Sequence, residues 1–262
     1  MAYNATEFMF DGIPSEHYGL HLMEIGGKAG QSDFDGAKLD IYTDSVYRRP
    51  TQYLLGVSYK EPLKFKISFA SYEPIDRFKL ANIQKWLFGH SEYKKLQIMQ
   101  EDLQYVYFNC ILNNPSITTI DNNIYGMTCD VVCDAPWAWE FERTYSYNIT
   151  SNLQNIIFQN KSDINDYTYP TIKVTCNKAD GTISIINKTD ENREFKLVGL
   201  SVGEEITVDN ELQIITSSLG LNRLSYFNKK FFRLLPNVNA LEVKGDVSKV
   251  EIKYKNAKKV GS

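Results

Sequence analysis

Along most of the chain, hydrophobic residues alternate with polar ones, as they do in β-strands that bury one face. In the first half, four such runs occupy residues 8–10, 63–69, 106–112 and 127–133. In the second half, short alternating runs follow one another between turn residues at near-regular spacing. The pattern predicts a mainly β protein and, since no βαβ unit repeats, it argues against a doubly wound fold.

One segment has a helical period instead. Between residues 74 and 89, hydrophobic residues recur at spacings of about three and four. The positions are Ile75, Phe78, Ile83, Trp86 and Leu87. Pro74 suits a first helical turn and Gly89 suits the residue just past the end. We therefore predict one short helix over residues 74–89, packed across a sheet.

The hydrophobic pattern of the sequence changes near residues 140–160, where residues 142–148 are polar and lack a clear period. The pattern after this point is typical of a β-sandwich, with a small barrel as the alternative. Asp180-Gly181, between two alternating runs, favours a hairpin. We therefore predict two domains, residues 1–145 and residues 146–262.

The composition indicates a folded protein with much interface-type surface. Aromatic residues make up 13% of the chain, including 17 Tyr and 14 Phe, and these residue types favour strands and protein interfaces. The net charge of −3 gives no basic footprint for nucleic acid and no polybasic signal for a membrane. We therefore expect protein partners, with no nucleic acid or membrane partner.

The expected redox state of the four cysteines depends on where the protein is made. The N-terminal residues lack a positive segment followed by an apolar run, so we expect no signal peptide and synthesis in a cytoplasm. Cys110, Cys129, Cys133 and Cys176 are then expected to be reduced. Cys129 and Cys133 would lie about 13 Å apart on a strand, and without a second Cys or His pair they fit core thiols better than zinc ligands.

The strongest sign of catalysis is a G-x-S-x-G pattern at residues 199–203. A nucleophile elbow needs a helix after the serine and a histidine later in the chain. A strand-like run follows Ser201, and the histidines are His17, His21 and His90, all upstream. We therefore predict a turn between strands, no enzyme activity and no cofactor. Residues 18–22 alternate and favour a strand, so His17 and His21 fit surface or interface positions.

Three stretches resemble the distal tail protein family of long-tailed siphophages. Residues 8–20 are similar to the opening strand and turn of the family, and residues 83–96 to its Trp-Leu helix, glycine stop and following strand. Residues 129–139 and several segments between 187 and 245 resemble later strands, with Asn237 where the family often has glycine. The resemblance runs nearly end to end and in order.

The resemblance implies an N-terminal domain like a tail-tube subunit and a C-terminal galectin-like β-sandwich. Family members form a homo-hexameric ring at the tail tip, between the tail tube protein and the tail-tip or tail-associated protein. Their C-terminal domains can hold receptor-binding proteins or baseplate parts. We therefore expect a structural component of the virion tail tip, made in the cytoplasm of the host bacterium.

Residues 44–62 are a candidate for an arm that clasps a neighbouring subunit, because they are more apolar than a solvated loop. The candidate interface residues are Val46, Tyr47, Tyr53, Leu54, Leu55, Val57 and Tyr59. An ordinary internal hairpin is the alternative.

A lectin-like module that contributes to host adsorption is the alternative function. Sugar platforms often use exposed tryptophan, but Trp86, Trp137 and Trp139 all precede the sandwich. Tyr167, Tyr169 and Tyr226 are the remaining candidate platforms.

Overall fold

The structure, a computed structural model, describes residues 5–23 and 38–260. Strands account for 53% of it and helical turns for 8%, which confirms the predicted mainly β class. The chain forms two compact units: unit 1 comprises Met1–Glu140 and Lys258–Ser262, and unit 2 comprises Phe141–Ala257. The strand Arg143–Asn148 belongs to unit 2, so this division falls before the boundary predicted at residue 146.

Unit 1 consists of antiparallel strands and one α-helix among its described residues. The strands are β1 (Phe8–Phe10), β2 (Ile13–Pro14), β3 (His21–Leu22), β4 (Leu39–Ser45), β5 (Gln52–Tyr59), β6 (Lys64–Ala70), β7 (Lys94–Ile98), β8 (Val106–Ile120), β9 (Asn123–Cys133) and β10 (Ala138–Glu140). The helix α1 spans Arg77–Phe88.

The main sheet of unit 1 has the strand order β2-β1-β7-β8-β9-β6-β3, and β10 pairs with the start of β8. Alternate side chains of these strands enter one hydrophobic core, including Phe65 and Ile67 of β6 and Val131 of β9. The predicted alternation at residues 63–69 therefore marks a strand with one buried face. Strands β4 and β5 stand apart and pair only with each other among the strands described.

Helix α1 covers this core, as predicted, but it begins later than residue 74. The Asp76 carboxylate accepts a hydrogen bond from the Lys79 amide at 2.7 Å and caps the first turn, so Pro74 lies outside the helix. Gly89 follows its last residue. Ile83, Trp86 and Leu87 are buried as expected, whereas Phe78 is 85% exposed, which corrects its predicted place on the packing face.

The predicted strand character of residues 18–22 is wrong for its first half. Ser15–Tyr18 forms a 3₁₀ turn that ends at Gly19, whose φ of 60° lies in the left-handed region. Only His21 and Leu22 pair as a strand, with β6. Gly19 donates to the Glu16 carbonyl and Leu20 to that of Ser15, so local turn bonds replace a strand ladder here.

Unit 2 is a β-sandwich, as predicted. Its strands are β11 (Arg143–Asn148), β12 (Leu153–Asn160), β13 (Thr171–Cys176), β14 (Gly181–Asn187), β15 (Arg193–Leu200), β16 (Glu205–Asp209), β17 (Ile214–Ser217), β18 (Asn237–Gly245) and β19 (Val247–Tyr254), and β20 (Ala257–Lys258) follows where the chain leaves the unit. One sheet has the order β11-β19-β13-β16-β17 and the other β12-β18-β14-β15. Their inner faces enclose a single core.

The hairpin expected at Asp180-Gly181 is wrong, because β13 and β14 belong to different sheets. Asp180 has the positive φ that the turn signal predicted, 53°, but the chain crosses from one layer of the sandwich to the other. A Cβ on Gly181 would lie 2.3 Å from the Cys176 sulfur, so the crossing requires glycine there.

Candidate inter-subunit interface

The segment predicted as an arm forms a separate antiparallel hairpin of β4 and β5. Their cross-strand partners include Leu39 with Tyr59 and Ile41 with Val57. Residues directly opposite in a ladder share a face, so these four side chains form one apolar face near the base of the hairpin. A register shift after Tyr42 leaves an extra residue in β5, as in a β-bulge.

Six of the seven predicted interface residues are exposed. Tyr47, Leu54 and Leu55 are 85%, 64% and 69% exposed, and Val46, Tyr53 and Val57 are also in the exposed class. Tyr59 is half-buried, and its ring meets that of Trp137 edge-on at 5.2 Å. The base of the hairpin is thus held by an aromatic contact while the rest of its apolar surface faces solvent.

Three exposed apolar residues of β4 were missed because the predicted arm began at Asp44. Leu39, Ile41 and Tyr42 are each more than half exposed, and they extend the apolar surface along the second strand. Leu39 and Ile41 alternate with Asp40, so the two-residue period was present in the sequence. We call the exposed apolar residues of β4, β5 and Val46–Tyr47 the arm surface.

Two arginines give the tip of the hairpin positive charge. Arg48 has a φ of 67° in the turn, and its guanidinium lies 5.2 Å from the centre of the Tyr47 ring. The Arg49 guanidinium donates to the Tyr53 hydroxyl at 3.3 Å. Salt bridges at the base join Lys38 to Glu61 and Lys60 to Asp40. The hairpin therefore has a basic tip and a charge-balanced base.

The G-x-S-x-G segment is a turn between strands, as predicted. Strand β15 ends at Leu200, and β16 begins at Glu205 where a nucleophile elbow would continue as a helix. The Ser201 amide donates to the carboxylate of Glu204 at 2.8 Å, and the Gly203 amide donates to the Cys176 carbonyl at 2.8 Å. These bonds shape a tight turn at the end of the sheet.

All four cysteines are free and buried, and burial was predicted for Cys129 and Cys133. Burial and the neighbouring Asp130 carboxylate raise the pKa of the Cys129 thiol to about 12. Burial also raises the pKa values of Cys110 and Cys133. Within the described ranges, no group of three or more His, Cys, Asp or Glu side chains could hold a metal ion.

The remaining candidate residues are separate from one another. His17 is exposed on the 3₁₀ turn, and the half-buried His21 lies 4.9 Å from the Tyr72 ring. Tyr167 lies under the Arg233 guanidinium, 3.7 Å from its ring centre, and Arg233 also pairs with Asp190.

Tyr226 is one of the candidate sugar platforms. Its ring packs beside Gly199 and lies 5.4 Å from the Arg223 guanidinium. Tyr169 is 44% exposed. Arginine therefore occupies part of the ring surface of two of the three candidate tyrosines, Tyr167 and Tyr226.

Two family models match the chain in sequence. The model described as a phage tail protein N-terminal domain matches residues 3–135, and the one described as a phage tail C-terminal domain matches residues 137–254. The chain belongs to this family of phage tail proteins. It is also 23% identical over 250 residues to the SPbeta prophage-derived uncharacterized protein YomH of Bacillus subtilis (strain 168), covering 95% of this chain and 96% of that protein.

Two solved structures share the fold. The Dit protein (gp 19.1) of phage SPP1, presented as a paradigm of the hub adsorption apparatus of phages that infect Gram-positive hosts, matches with a TM-score of 0.69, at 12% identity over 95% of this chain and 98% of that one. A chain of the phage P2 baseplate in its activated, calcium-bound conformation matches with a TM-score of 0.53, at 12% identity over 91% and 90%. The resemblance to distal tail proteins is thus confirmed, and the chain is a structural component of a phage tail.

No helix in the part of the chain that the structure describes is both long and apolar enough to span a membrane.

Proposed function

We propose that this chain forms a hexameric ring at the distal end of a phage tail, in which the β4–β5 hairpin of each copy packs on its neighbour. The arm surface is the observation that supports this proposal. A two-stranded sheet on its own is marginally stable in water. Contiguous exposed apolar surface of this kind marks protein interaction sites.

A ring also accounts for the asymmetry of the hairpin. The hairpin has one apolar face near its base and a basic tip with Arg48 and Arg49. Such a surface suits a different, apolar and acidic patch on the next copy better than it suits itself. A contact between two different patches, repeated with a closing rotation, generates a ring.

The two units then have separate roles in the proposal. The N-terminal domain, predicted as residues 1–145, forms the ring between the tail tube protein and the tail-tip or tail-associated protein. The C-terminal sandwich, predicted as residues 146–262, presents a surface for receptor-binding or baseplate proteins. The chain acts at the virion tail tip after synthesis in the host cytoplasm, without catalysis, cofactor, nucleic acid or membrane.

The experiment that tests this proposal places charge on the arm surface. The variant Tyr53→Asp/Leu54→Asp changes two exposed residues, so we expect it to keep the circular dichroism spectrum of the parent and to lose the ring. Leu212→Asp is a matched control, since Leu212 is 67% exposed but lies in unit 2. Rings that persist in the double variant would contradict the role of the arm.

The alternative is carbohydrate binding by the sandwich. It has less support, because Arg233 lies on the ring of Tyr167 and Tyr226 packs beside Gly199. A glycan array probed with the full chain separates the two functions. A hit that free sugar displaces, and that Tyr169→Ala removes, would favour the alternative.

A further inference from the structure

The edge strands of the sandwich differ in how well they are protected. An open edge presents unpaired backbone groups, and proteins usually block such edges with charge, proline or a covering segment. The outer edge of β15 is covered by Asn228, whose amide donates to the Lys196 carbonyl at 3.1 Å and whose side chain donates to the Glu194 carbonyl at 2.8 Å. Strand β17, the edge of the other sheet, has only four residues. Strand β11, the remaining edge of that sheet, contains the charged Arg143.

Strand β12 is the edge strand that lacks these protections. It is eight residues long, pairs with β18 on one side, and contains neither a charged residue nor proline. The Gly245 amide donates to the Asn152 carbonyl at 3.0 Å, which fixes the alternation of the ladder. In an antiparallel ladder, every second residue directs its N–H and C=O groups at the partner strand. Asn152 does so here, so the backbone groups of Leu153, Asn155 and Ile157 point away from β18. Over the described ranges, no backbone group bonds to them from that side. The Ser151 hydroxyl donates to the Leu153 carbonyl at 2.7 Å, and this carbonyl has a second lone pair for a pairing strand.

The side chains of these three residues are exposed on the outer face of the sheet. Leu153 is 49% and Ile157 is 70% exposed, and Asn155 lies between them. Two residues beyond Ile157, the Tyr254 hydroxyl donates to the Gln159 carbonyl at 3.3 Å and closes the edge at that end. The open part of β12 is therefore the short row Leu153–Asn155–Ile157, in which an amide lies between two aliphatic side chains.

We propose that β12 pairs antiparallel with β12 of a second copy of this chain, about a two-fold axis through Asn155. In this register Asn155 lies opposite Asn155, and Leu153 of each copy lies opposite Ile157 of the other. Each pair exchanges both backbone hydrogen bonds. Aliphatic side chains then meet aliphatic side chains, amide meets amide, and no like charges oppose one another. Because the row Leu153–Asn155–Ile157 is uncharged and complementary to itself, we identify a second copy of this chain as the partner that pairs with it.

This contact is separate from the proposed ring. It is two-fold and uses the same patch on both copies, whereas a ring uses one contact between different patches. It lies wholly in unit 2, whereas the arm surface lies in unit 1. It would join two free chains, or two rings face to face.

Cysteine cross-linking tests the register directly. Asn155→Cys should form a covalent dimer of about 60 kDa, twice the 30.1 kDa chain, under copper phenanthroline in air, since opposed residues lie within disulfide reach. Leu153→Cys alone and Ile157→Cys alone should remain monomeric on a non-reducing gel, because their own copies lie about 13 Å apart. A mixture of these two variants should cross-link. The native cysteines are buried, which keeps the background low.

Charge at the axis supplies the second test. Asn155→Asp is nearly isosteric but sets like charges opposite each other, so we expect it to raise the dissociation constant of the two-fold contact by up to about fivefold. Asn148→Asp makes the same change on the exposed edge strand β11 and should have little effect. Both are read by sedimentation in the Tyr53→Asp/Leu54→Asp background, where the ring is absent.

The outcomes separate the two proposals. Cross-linking of Asn155→Cys that persists in the arm variant supports the β12 contact even if the ring proposal fails. No Asn155→Cys dimer, or equal cross-linking by Leu153→Cys alone, would overturn the pairing and leave the edge to a strand of another protein.

Discussion

The Arg223 guanidinium forms a two-point ion pair with the buried carboxylate of Glu204. Arg223 donates from Nη2 to Oε2 at 2.6 Å and from Nε to Oε1 at 2.8 Å, and the two side chains are 7% and 0% exposed. Ser217 also donates to Oε1, at 2.6 Å. The pair secures the turn that carries Ser201, so the sequence pattern at residues 199–203 has a structural explanation.

Removing one member of this pair should destabilise unit 2 strongly. Arg223→Ala leaves the Glu204 carboxylate buried without its counter-charge, and we expect a loss of about 3–5 kcal/mol in the free energy of unfolding. Lys173→Ala is the control, because Lys173 and Glu205 form an exposed pair at 3.0 Å, worth under about 1 kcal/mol. Urea unfolding followed by circular dichroism measures both. If both variants lost the same unfolding free energy, the larger effect expected for the buried pair would be wrong.

The same pair makes stability sensitive to acid. Burial alone would raise the pKa of Glu204, but hydrogen bonds from Arg223, Ser217 and the Ser201 amide outweigh it and lower the pKa from 4.5 to about 2. The folded state therefore favours the ionised form. Its contribution to stability is full above about pH 4.5 and is lost as the pH falls towards about 2.

Glu204→Gln isolates this contribution. The parent protein should lose more unfolding free energy than the variant between about pH 6 and about pH 3. Parallel pH profiles for the two proteins would show that Glu204 does not carry the effect.

The thiols should be unreactive in the folded protein. All four cysteines are buried, and the pKa of Cys129 is about 12, so little thiolate forms at neutral pH. A colorimetric disulfide reagent should titrate none of them in native buffer and all four in denaturant. A thiol that reacts within seconds in native buffer would contradict the buried placement.

Asn237 should tolerate glycine but not a β-branched residue. Its φ is 66°, in the left-handed region that Asn and Gly enter readily. We expect Asn237→Gly to keep the unfolding free energy nearly unchanged and Asn237→Val to lower it by about 1–2 kcal/mol. Thermal unfolding of the two variants distinguishes this from a side-chain role, for which both would lose stability.

Local pattern predicted the elements of this fold well. The alternation at residues 63–69 is strand β6, Gly89 ends the helix, and Asn237 has the conformation implied by the family resemblance. Each of these features depends on burial of one face or on the backbone freedom of one residue, and both leave a signal in neighbouring residues.

Features that depend on partners were harder to predict. The turn at Asp180-Gly181 was recognised, but a turn signal does not specify whether the next strand joins the same sheet. The three-residue spacing from Ile75 predicts that Phe78 lies on the packing face, yet Phe78 is exposed, because Ile75 lies outside the helix. At 3.6 residues per turn, Phe78 lies roughly 130° around the helix from the buried residues Ile83, Trp86 and Leu87. The open edge of β12 follows from the order of the strands in the sheet, and the alternation of hydrophobic and polar residues does not specify that order.

The mass of the protein in solution tests the central claim most directly. Light scattering coupled to size exclusion, with negative-stain images of the same peak, should give about 180 kDa for six copies of the 30.1 kDa chain, or about twice that for two joined rings, with six-fold rings in the images. A closed assembly with a different number of subunits, or a strict monomer in the presence of its tail tube protein, would contradict the hexameric ring.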